Sequence, residues 1–480
     1  MAPDFLYIAD WNRKEMNVSK SKCIIAASFV AAFGFFYIAY PYHLMRREQL
    51  TLFLYDIPYI FRTYRGAGFA SRFISDFLEQ FFCLKAAGPI VVSALLTAIG
   101  VLAYKISRAF AGKKISFVIA SLIWIWSLLR ETETIYMTQY TVAVAGYLLC
   151  VFFALKFKQT ATKIGSLFVF VALGLWLFGN PYHKNYGKLI GRPDLEYEKL
   201  VAADIETFRE NWDKVIKISE SGLLYNEACY LYNLAYAMQG RLSETLLHHP
   251  QNYTSGLFCF VTDQVSPFSN GMAGEVWYHL GNMTLADQSA MVTMQSSPKH
   301  TGARFVKRLA MINLVTGQYG AAQKYLSMLG RTMFYHKWAE KMLPDNQDAQ
   351  TREYIEGLRR NLIADDVVSG TNDYKLLLGK LLSANPDNKM AREYLLCYEL
   401  LSCDLASFMD DYVPEKNNPA LYQEATMVWI NIRHSEGNLD KVDMDKFGID
   451  ADTIERLRRF YRYPEKYKDT YWYYYTYAME

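Results

Sequence analysis

Five runs within the first 180 positions carry no Asp, Glu, Lys, Arg or His: 23–40, 86–104, 115–129, 135–155 and 164–178. A helix needs about 20 apolar residues, with roughly 17 as a working minimum, to cross a ~30 Å hydrocarbon core. The first, second and fourth runs meet that length. The third and fifth need their flanks: Lys113 and Lys114 can snorkel before one, and Trp176 can anchor the end of the other. From about Asn180 the apolar pattern stops, and Pro181, Gly187, Gly191 and Pro193 mark a linker. The expected fold class is therefore all-α. A transmembrane bundle of about five helices spans 23–180, with an external link at 41–85, and a water-soluble helical domain follows over 181–480.

Chain-wide averages hide this division, because 52% hydrophobic residues is the mean of a very apolar front and a polar back. A length of 480 residues exceeds what one core usually serves. Aromatic content of 16%, with 37 tyrosines, suits membrane interfaces, where an apolar ring with a polar tip is at home. The net charge of +3 supplies no basic stripe, so no nucleic-acid partner is expected. Charges buried in the bilayer mark ion paths and proton relays, and their absence from all five runs argues against a coupled transporter.

Positive charges give the direction. Arg13, Lys14, Lys20 and Lys22 precede the first run; Lys105, Arg108, Lys113 and Lys114 crowd the link between the second and third; Lys156, Lys158 and Lys163 fill the link between the fourth and fifth. The link between the third and fourth, Arg130-Glu131-Thr132-Glu133-Thr134, is net negative. Lys and Arg stay on the cytoplasmic side during insertion, so residues 1–22 are expected inside the cell and the C-terminal domain outside the cytoplasm. The long first link is the contrary case, with Arg46, Arg47, Arg62, Arg65 and Arg72. The first run is read as an uncleaved anchor, since Tyr40-Pro41-Tyr42-His43 offers no small-x-small cleavage site.

Within that link Phe69, Phe73, Ile74, Phe77, Leu78 and Phe81 recur at helical spacing, with Arg72, Ser75, Asp76, Glu79 and Gln80 opposite. Such a helix lies in the membrane interface or packs on its neighbours, and the pattern fits both. Beyond the linker, amphipathic helices follow one another with short breaks. Leu309, Ala310, Ile312 and Leu314, then Gly317, Tyr319, Ala322 and Tyr325, fit a tetratricopeptide-like hairpin, in which Gly ends one helix and an aromatic opens the next. Weaker echoes start at Asn233, Trp277 and Ala391, and Trp212 resembles a repeat-opening tryptophan. Their irregular spacing predicts a degenerate α-solenoid. The Tyr-rich tail, 459–477, is expected to fold back and cap the last helical pair rather than dock elsewhere.

Searching for chemistry yields little. The chain has no P-loop, dinucleotide fingerprint, nucleophile elbow or zinc-protease motif. Its seven cysteines form no C-x-x-C pair, and the adjacent His248 and His249 cannot share one helix face. No cofactor or metal is expected. One sharper pattern stands out: membrane glycosyltransferases that use lipid-linked sugars keep an acidic residue in the first external link. Glu48 or Asp56 would be that residue here, as base or metal ligand, with Arg62 and Arg65 meeting a phosphate.

Residues 309–326, 332–339, 388–395 and 470–474, with Glu48-Gln49-Leu50 and 77–82 in the first link, resemble an uncharacterised family of multi-pass membrane proteins from Gram-negative bacteria. That family is known only as domain of unknown function 6057. The resemblance spans most of the chain and implies an inner-membrane protein with a periplasmic helical domain; it implies no activity. The expected function is a membrane-anchored scaffold of the cell envelope. Its external helices would bind a protein or envelope partner, with membrane lipid around the bundle. The alternative is the glycosyltransferase-like enzyme.

Overall fold

The computed structural model describes residues 22–133, 137–156, 160–179, 191–221, 226–259, 267–297, 299–363, 373–414, 418–435 and 444–477. Arg13, Lys14, Lys20, Lys158, Pro181 and Gly187, on which parts of the sequence reading rest, lie outside them. The described residues contain helices and no strand. The chain divides into two compact units. The first takes everything up to Glu198 together with Thr301–Val306 and Ser327–Glu340; the second takes the remainder.

In the first unit each of the five apolar runs has a helix over most of its described residues: α1 (Lys22–Ala39), then α5 (Ala87–Ser107), α6 (Lys113–Glu131), α7 (Thr138–Ala154) and α8 (Thr160–Phe178). By length and composition, α1 and α5 are long and apolar enough to cross a membrane, while Thr138–Ala154 and Ile164–Phe178 are shorter apolar helices. Three helices fill the link between α1 and α5. Pro41 opens α2 (Pro41–Gln49), Asp56 accepts from the Tyr59 N–H to cap α3 (Ile57–Thr63), and Gly68 at φ +78° precedes α4 (Phe69–Glu79). Ala32, Phe36, Tyr40, Leu44, Phe82, Val92 and Leu96 form one buried cluster that joins α1, α2 and α5.

The helix ends alternate. Lys105 of α5 and Lys156, just past α7, both sit over the Phe152 ring at 5.3 and 5.2 Å, so one end of the bundle collects the α5–α6 and α7–α8 links. At the other end, Gly68 N–H donates to Trp176 O at 2.9 Å and Ser71 Oγ to Phe178 O at 2.9 Å, which fastens α4 to the end of α8. A Cβ added to Gly68 would lie 3.2 Å from the Gly179 Cα, so this backbone approach needs glycine.

The burial of α4 is inverted. Its polar residues Ser71, Ser75, Asp76 and Glu79 are buried against α7 and α8, while Phe69, Phe73 and Phe77 are only half-buried and Ile74 is exposed. The helix packs on the bundle, as one of the two expectations held, but through the polar face.

The second unit takes up the rest of the helices: α9 (Leu195–Phe208), α10 (Trp212–Ser219), α11 (Asn226–Met238), α12 (Leu242–Thr245), α13 (Pro267–Leu280), α14 (Met283–Ser296), α15 (Ala303–Val315), α16 (Tyr319–Leu329), α17 (His336–Met342), α18 (Ala349–Arg359), α19 (Tyr374–Ala384), α20 (Lys389–Leu401), α21 (Leu405–Asp411), α22 (Ala420–Ser435), α23 (Ala451–Arg462) and α24 (Tyr471–Tyr477), of which α9 and α15–α17 contribute also to the first. Five hairpin turns share one construction: a residue with positive φ, one connecting residue, then an apolar residue opening the next helix. They are Glu210-Asn211-Trp212, Gly240-Arg241-Leu242, Gly281-Asn282-Met283, Gly317-Gln318-Tyr319 and Cys403-Asp404-Leu405.

Four of the five close with the same backbone bond, from the connecting N–H to the carbonyl five residues earlier: Asn211 to Glu206, Arg241 to Tyr236, Asn282 to Trp277 and Asp404 to Glu399. This bond satisfies a helix-end carbonyl that would otherwise have no partner. Asn282 and Asp404 then cap the following helix through their side chains. The hairpins are not stacked only on their sequence neighbours, since α11 and α12 also pack on α20, and α12 on α22. The unit closes on itself, as an open solenoid would not. The tail folds back: Tyr471 and Tyr474 donate their hydroxyls to the last-turn carbonyls of α20, at Leu400 (3.0 Å) and Leu401 (2.8 Å).

Candidate functional site

Of the four candidate site residues in the first link, Glu48, Asp56, Arg62 and Arg65, Glu48 alone is both buried, 5% exposed, and beside an opening. It lies in the last turn of α2, after which 51–56 runs without regular structure. Two segments from far along the chain fasten to that stretch. Ala303 N–H donates to Thr51 O at 3.0 Å, and Tyr55 N–H donates to Arg331 O at 2.7 Å. Thr332 then shapes the chain: its Oγ1 donates to Leu329 O at 2.7 Å and accepts from Tyr335 N–H at 3.1 Å. The turn delivers the Tyr335 hydroxyl to Glu48 Oε1, and Phe334 packs edge-on against Phe81 at 5.6 Å.

Glu48, Thr51, Gln80, Thr332, Phe334 and Tyr335 line a depression of about 20 Å³, partly open to solvent. A water needs about 10–15 Å³ by the same measure, so this is room for about one water and far below the roughly 300–1,000 Å³ of ligand pockets.

The other three candidates are placed differently. Asp56 caps α3 and forms an ion pair with Arg331, so both carboxylate oxygens have structural partners. Arg62 and Arg65 are exposed, and Arg65 Nε donates to Phe61 O at 2.7 Å. Neither guanidinium meets Glu48 or Asp56. The four do not converge on one point.

A second polar cluster, which sequence reading did not single out, lies deeper at the same end of the bundle. Arg47 Nη1 donates to Glu131 Oε2 and, at 3.2 Å, to Thr138 Oγ1; its Nη2 donates to Glu131 O at 2.7 Å. Thr141 Oγ1 donates to Glu131 Oε1. Arg47 Nη2 also lies 3.1 Å from His43 Nε2. A guanidinium only donates, so that nitrogen accepts and the imidazole is neutral with its proton on Nδ1. Burial holds the His43 pKa well below its ordinary value, and the charges of Arg47 and Arg46 push the same way. Arg47, Glu131 and His43 are each under a tenth exposed, so the cluster ties α2, α6 and α7 together and is closed to any ligand.

Beside it, Glu198 accepts from the backbone N–H groups of Tyr42 (2.6 Å) and His43 (3.0 Å), the unpaired donors in the first turn of α2. Burial pushes its pKa up to about 8 despite those two bonds. The net-negative 130–134 link had pointed to Glu131 only as an orientation signal, and the lone Glu198 carried no signal at all.

In the second unit the ion pair buried on both sides is Arg308 with Glu275, joining α15 and α13, with the guanidinium 3.7 Å over the Tyr278 ring. Tyr354 completes the set by donating to Glu210 Oε1 at 2.5 Å. Arg308 and Glu275 neutralise each other, as a buried ion pair requires. All seven cysteines are free thiols, and His249 stacks edge-on against Tyr232 at 4.4 Å. Among the described residues, no three His, Cys, Asp or Glu side chains are grouped to hold a metal ion.

No curated protein and no solved structure matches the chain. One family does, described as a family of unknown function (DUF6057), over residues 16–184 and 182–478. Those two matches leave only the extreme ends uncovered, and the chain belongs to that family.

Proposed function

We propose that this protein is a scaffold of the bacterial inner membrane, crossing it five times through α1 and α5–α8. Its N-terminus is cytoplasmic and its helical-hairpin unit is periplasmic, where it binds a protein or envelope partner. The observation that carries the reading is the inverted burial of the first unit. Ile115, Val118 and Leu122 of α6 and Phe168 and Val169 of α8 are each at least half exposed, while Arg47, Glu131, Asp76 and Glu79 are buried. Water would solvate the opposite arrangement; lipid solvates this one, since a polar group facing hydrocarbon loses its hydrogen bonds.

Alternating helix ends support the orientation. Lys105, Arg108, Lys113, Lys114 and Lys156 gather at one end, the side retained in the cytoplasm. Partner binding is supported by the exposed aromatics Tyr461, Tyr463 and Tyr477, since tyrosine is enriched where proteins meet. The test has two parts. Protease added to spheroplasts should cut within 199–480, and crosslinking in intact cells with mass spectrometry should recover an attached protein. Cleavage only in inverted vesicles would overturn the orientation, and recovery of the protein alone would overturn the scaffold.

The enzyme reading keeps one favourable observation, a buried carboxylate at Glu48 beside a solvent-open depression. It requires that Glu48→Ala abolish an envelope-glycan phenotype at unchanged protein level. Asp56→Ala is the companion test, though the Arg331 pair gives that residue a structural use.

A further inference from the structure

Three of the five arginines that run against the charge rule, Arg62, Arg65 and Arg72, share one short stretch of the first link. Among the described residues none of them has a carboxylate partner. They are not loose, however. Arg65 Nε is held by the Phe61 carbonyl at 2.7 Å, and Arg72 donates to the carbonyls of Ala67, at 3.0 Å, and Arg65. These bonds fix the backbone between α3 and α4 and leave the forked ends of Arg65, with all of Arg62, directed to solvent.

Beside them α3 has no buried residue, and Ile57 and Phe61, four positions apart and so on one face, are 71% and 72% exposed. A short helix that presents large apolar side chains outward next to guanidinium groups without a carboxylate partner fits neither water nor hydrocarbon alone. It fits the boundary between them.

The depth of this stretch is set by α8. Gly68 is bonded to the Trp176 carbonyl, and Phe69 meets the Trp176 ring edge-on at 5.3 Å. Trp176 is itself 56% exposed at the end of a helix whose outward residues are apolar, the place a tryptophan takes at headgroup level.

We propose that this stretch seats the headgroup of an anionic phospholipid in the outer leaflet: Arg62 and Arg65 hold the phosphate, Arg72 positions Arg65, and Ile57 and Phe61 enter the acyl boundary. Guanidinium is suited to this, because its planar fork pairs two donors with two phosphate oxygens. The proposal rests on the membrane reading above and explains why these arginines do not oppose the orientation: they are matched by lipid phosphate.

The test uses the full chain in mild detergent, titrated with phosphatidylglycerol or phosphatidylcholine and read by native mass spectrometry. Phosphatidylglycerol should be retained preferentially. Arg62→Gln and Arg65→Gln should each weaken it about fivefold, from the worth of one basic residue near an anionic surface. Phosphatidylcholine binding and the melting temperature should not change. Equal retention of the two lipids, or of phosphatidylglycerol by wild type and double variant, would overturn the site. So would displacement by millimolar inorganic phosphate at matched ionic strength, which marks a soluble-phosphate site. Carbonate-washed membranes separate the two levels: wild type in the supernatant removes the membrane reading itself, whereas loss of lipid preference with the chain still in the pellet removes only the headgroup seat.

Discussion

The Tyr335 hydroxyl donates to Glu48 across 2.7 Å, joining residues 287 positions apart within one compact unit. A buried carboxylate that loses a donor bears the cost of that missing bond, about 1–3 kcal/mol. Tyr335→Phe, which removes only the oxygen, should therefore lower the melting temperature of the detergent-solubilised protein. Phe334→Leu, beside it, should act separately by weakening the contact with Phe81. A Tyr335→Phe melt superimposable on wild type would show that the bond contributes nothing.

Glu198 makes stability depend on pH in a defined direction. Its carboxyl titrates near 8 in the fold against an ordinary value of 4.5, and burial is the cause. Folding therefore favours the protonated form. The contribution is fully present below about 4.5 and is lost as pH rises through about 8. Glu424, buried and pushed up to about 7, acts in the same sense. Thermal melts should fall between those limits, and Glu198→Gln should flatten the slope. An unchanged slope in the variant would remove Glu198 as its source.

The five matched turns predict unequal glycine substitutions. Gly240 and Gly317 have positive φ and nothing within 4 Å of an added Cβ, so alanine there should cost about 1–2 kcal/mol, the left-handed backbone penalty alone. At Gly281 the same Cβ would lie 2.2 Å from the Asn361 carbonyl oxygen. Adding the clash makes Gly281→Ala the most damaging of the three, at about 2–4 kcal/mol. Cys403 already occupies the left-handed region at φ 55°, so Cys403→Gly should be neutral or stabilising by up to about 1 kcal/mol. Denaturant midpoints measure all four, and equal losses at Gly240 and Gly281 would contradict the ranking.

Tyr471→Phe and Tyr474→Phe should each cost about 1 kcal/mol, because each leaves a carbonyl at the end of α20 without its hydroxyl donor. Faster amide exchange in the tail helix and at its junction with α20 is the expected readout. Protection unchanged in both variants would mean that the tail is held by its rings alone.

The sequence displayed much of this architecture wherever a local rule governed it. Uncharged runs of sufficient length became helices, and Gly240, Gly281 and Gly317 marked their turns because glycine alone enters the left-handed region without strain. At Glu210 and Cys403 no glycine marks the turn and nothing in a Glu or Cys announces a positive φ; only the helix-opening Trp212 pointed to the first of them. For α4 the two faces were readable but not their directions: periodicity separates polar from apolar and leaves the solvent on each side unspecified. The partners of Glu48 were invisible for another reason. Thr301–Val306 and Ser327–Glu340 join the first unit through isolated backbone and hydroxyl bonds, the Asp56–Arg331 ion pair and the Phe334–Phe81 ring contact, and such pairings have no period. Arg47 and Glu131 were each visible as charges, but that they meet follows only from the helix ends coming together.

The dependence of the first unit on residues up to Glu340 also orders events during synthesis. A chain leaves the ribosome N-terminus first, so Glu48 emerges long before the hydroxyl that binds it. The α4 helix likewise waits for the Trp176 and Phe178 carbonyls. A nascent chain stalled before Ser327 would hold that carboxylate without Tyr335, so the contact is completed only once that later segment has been made.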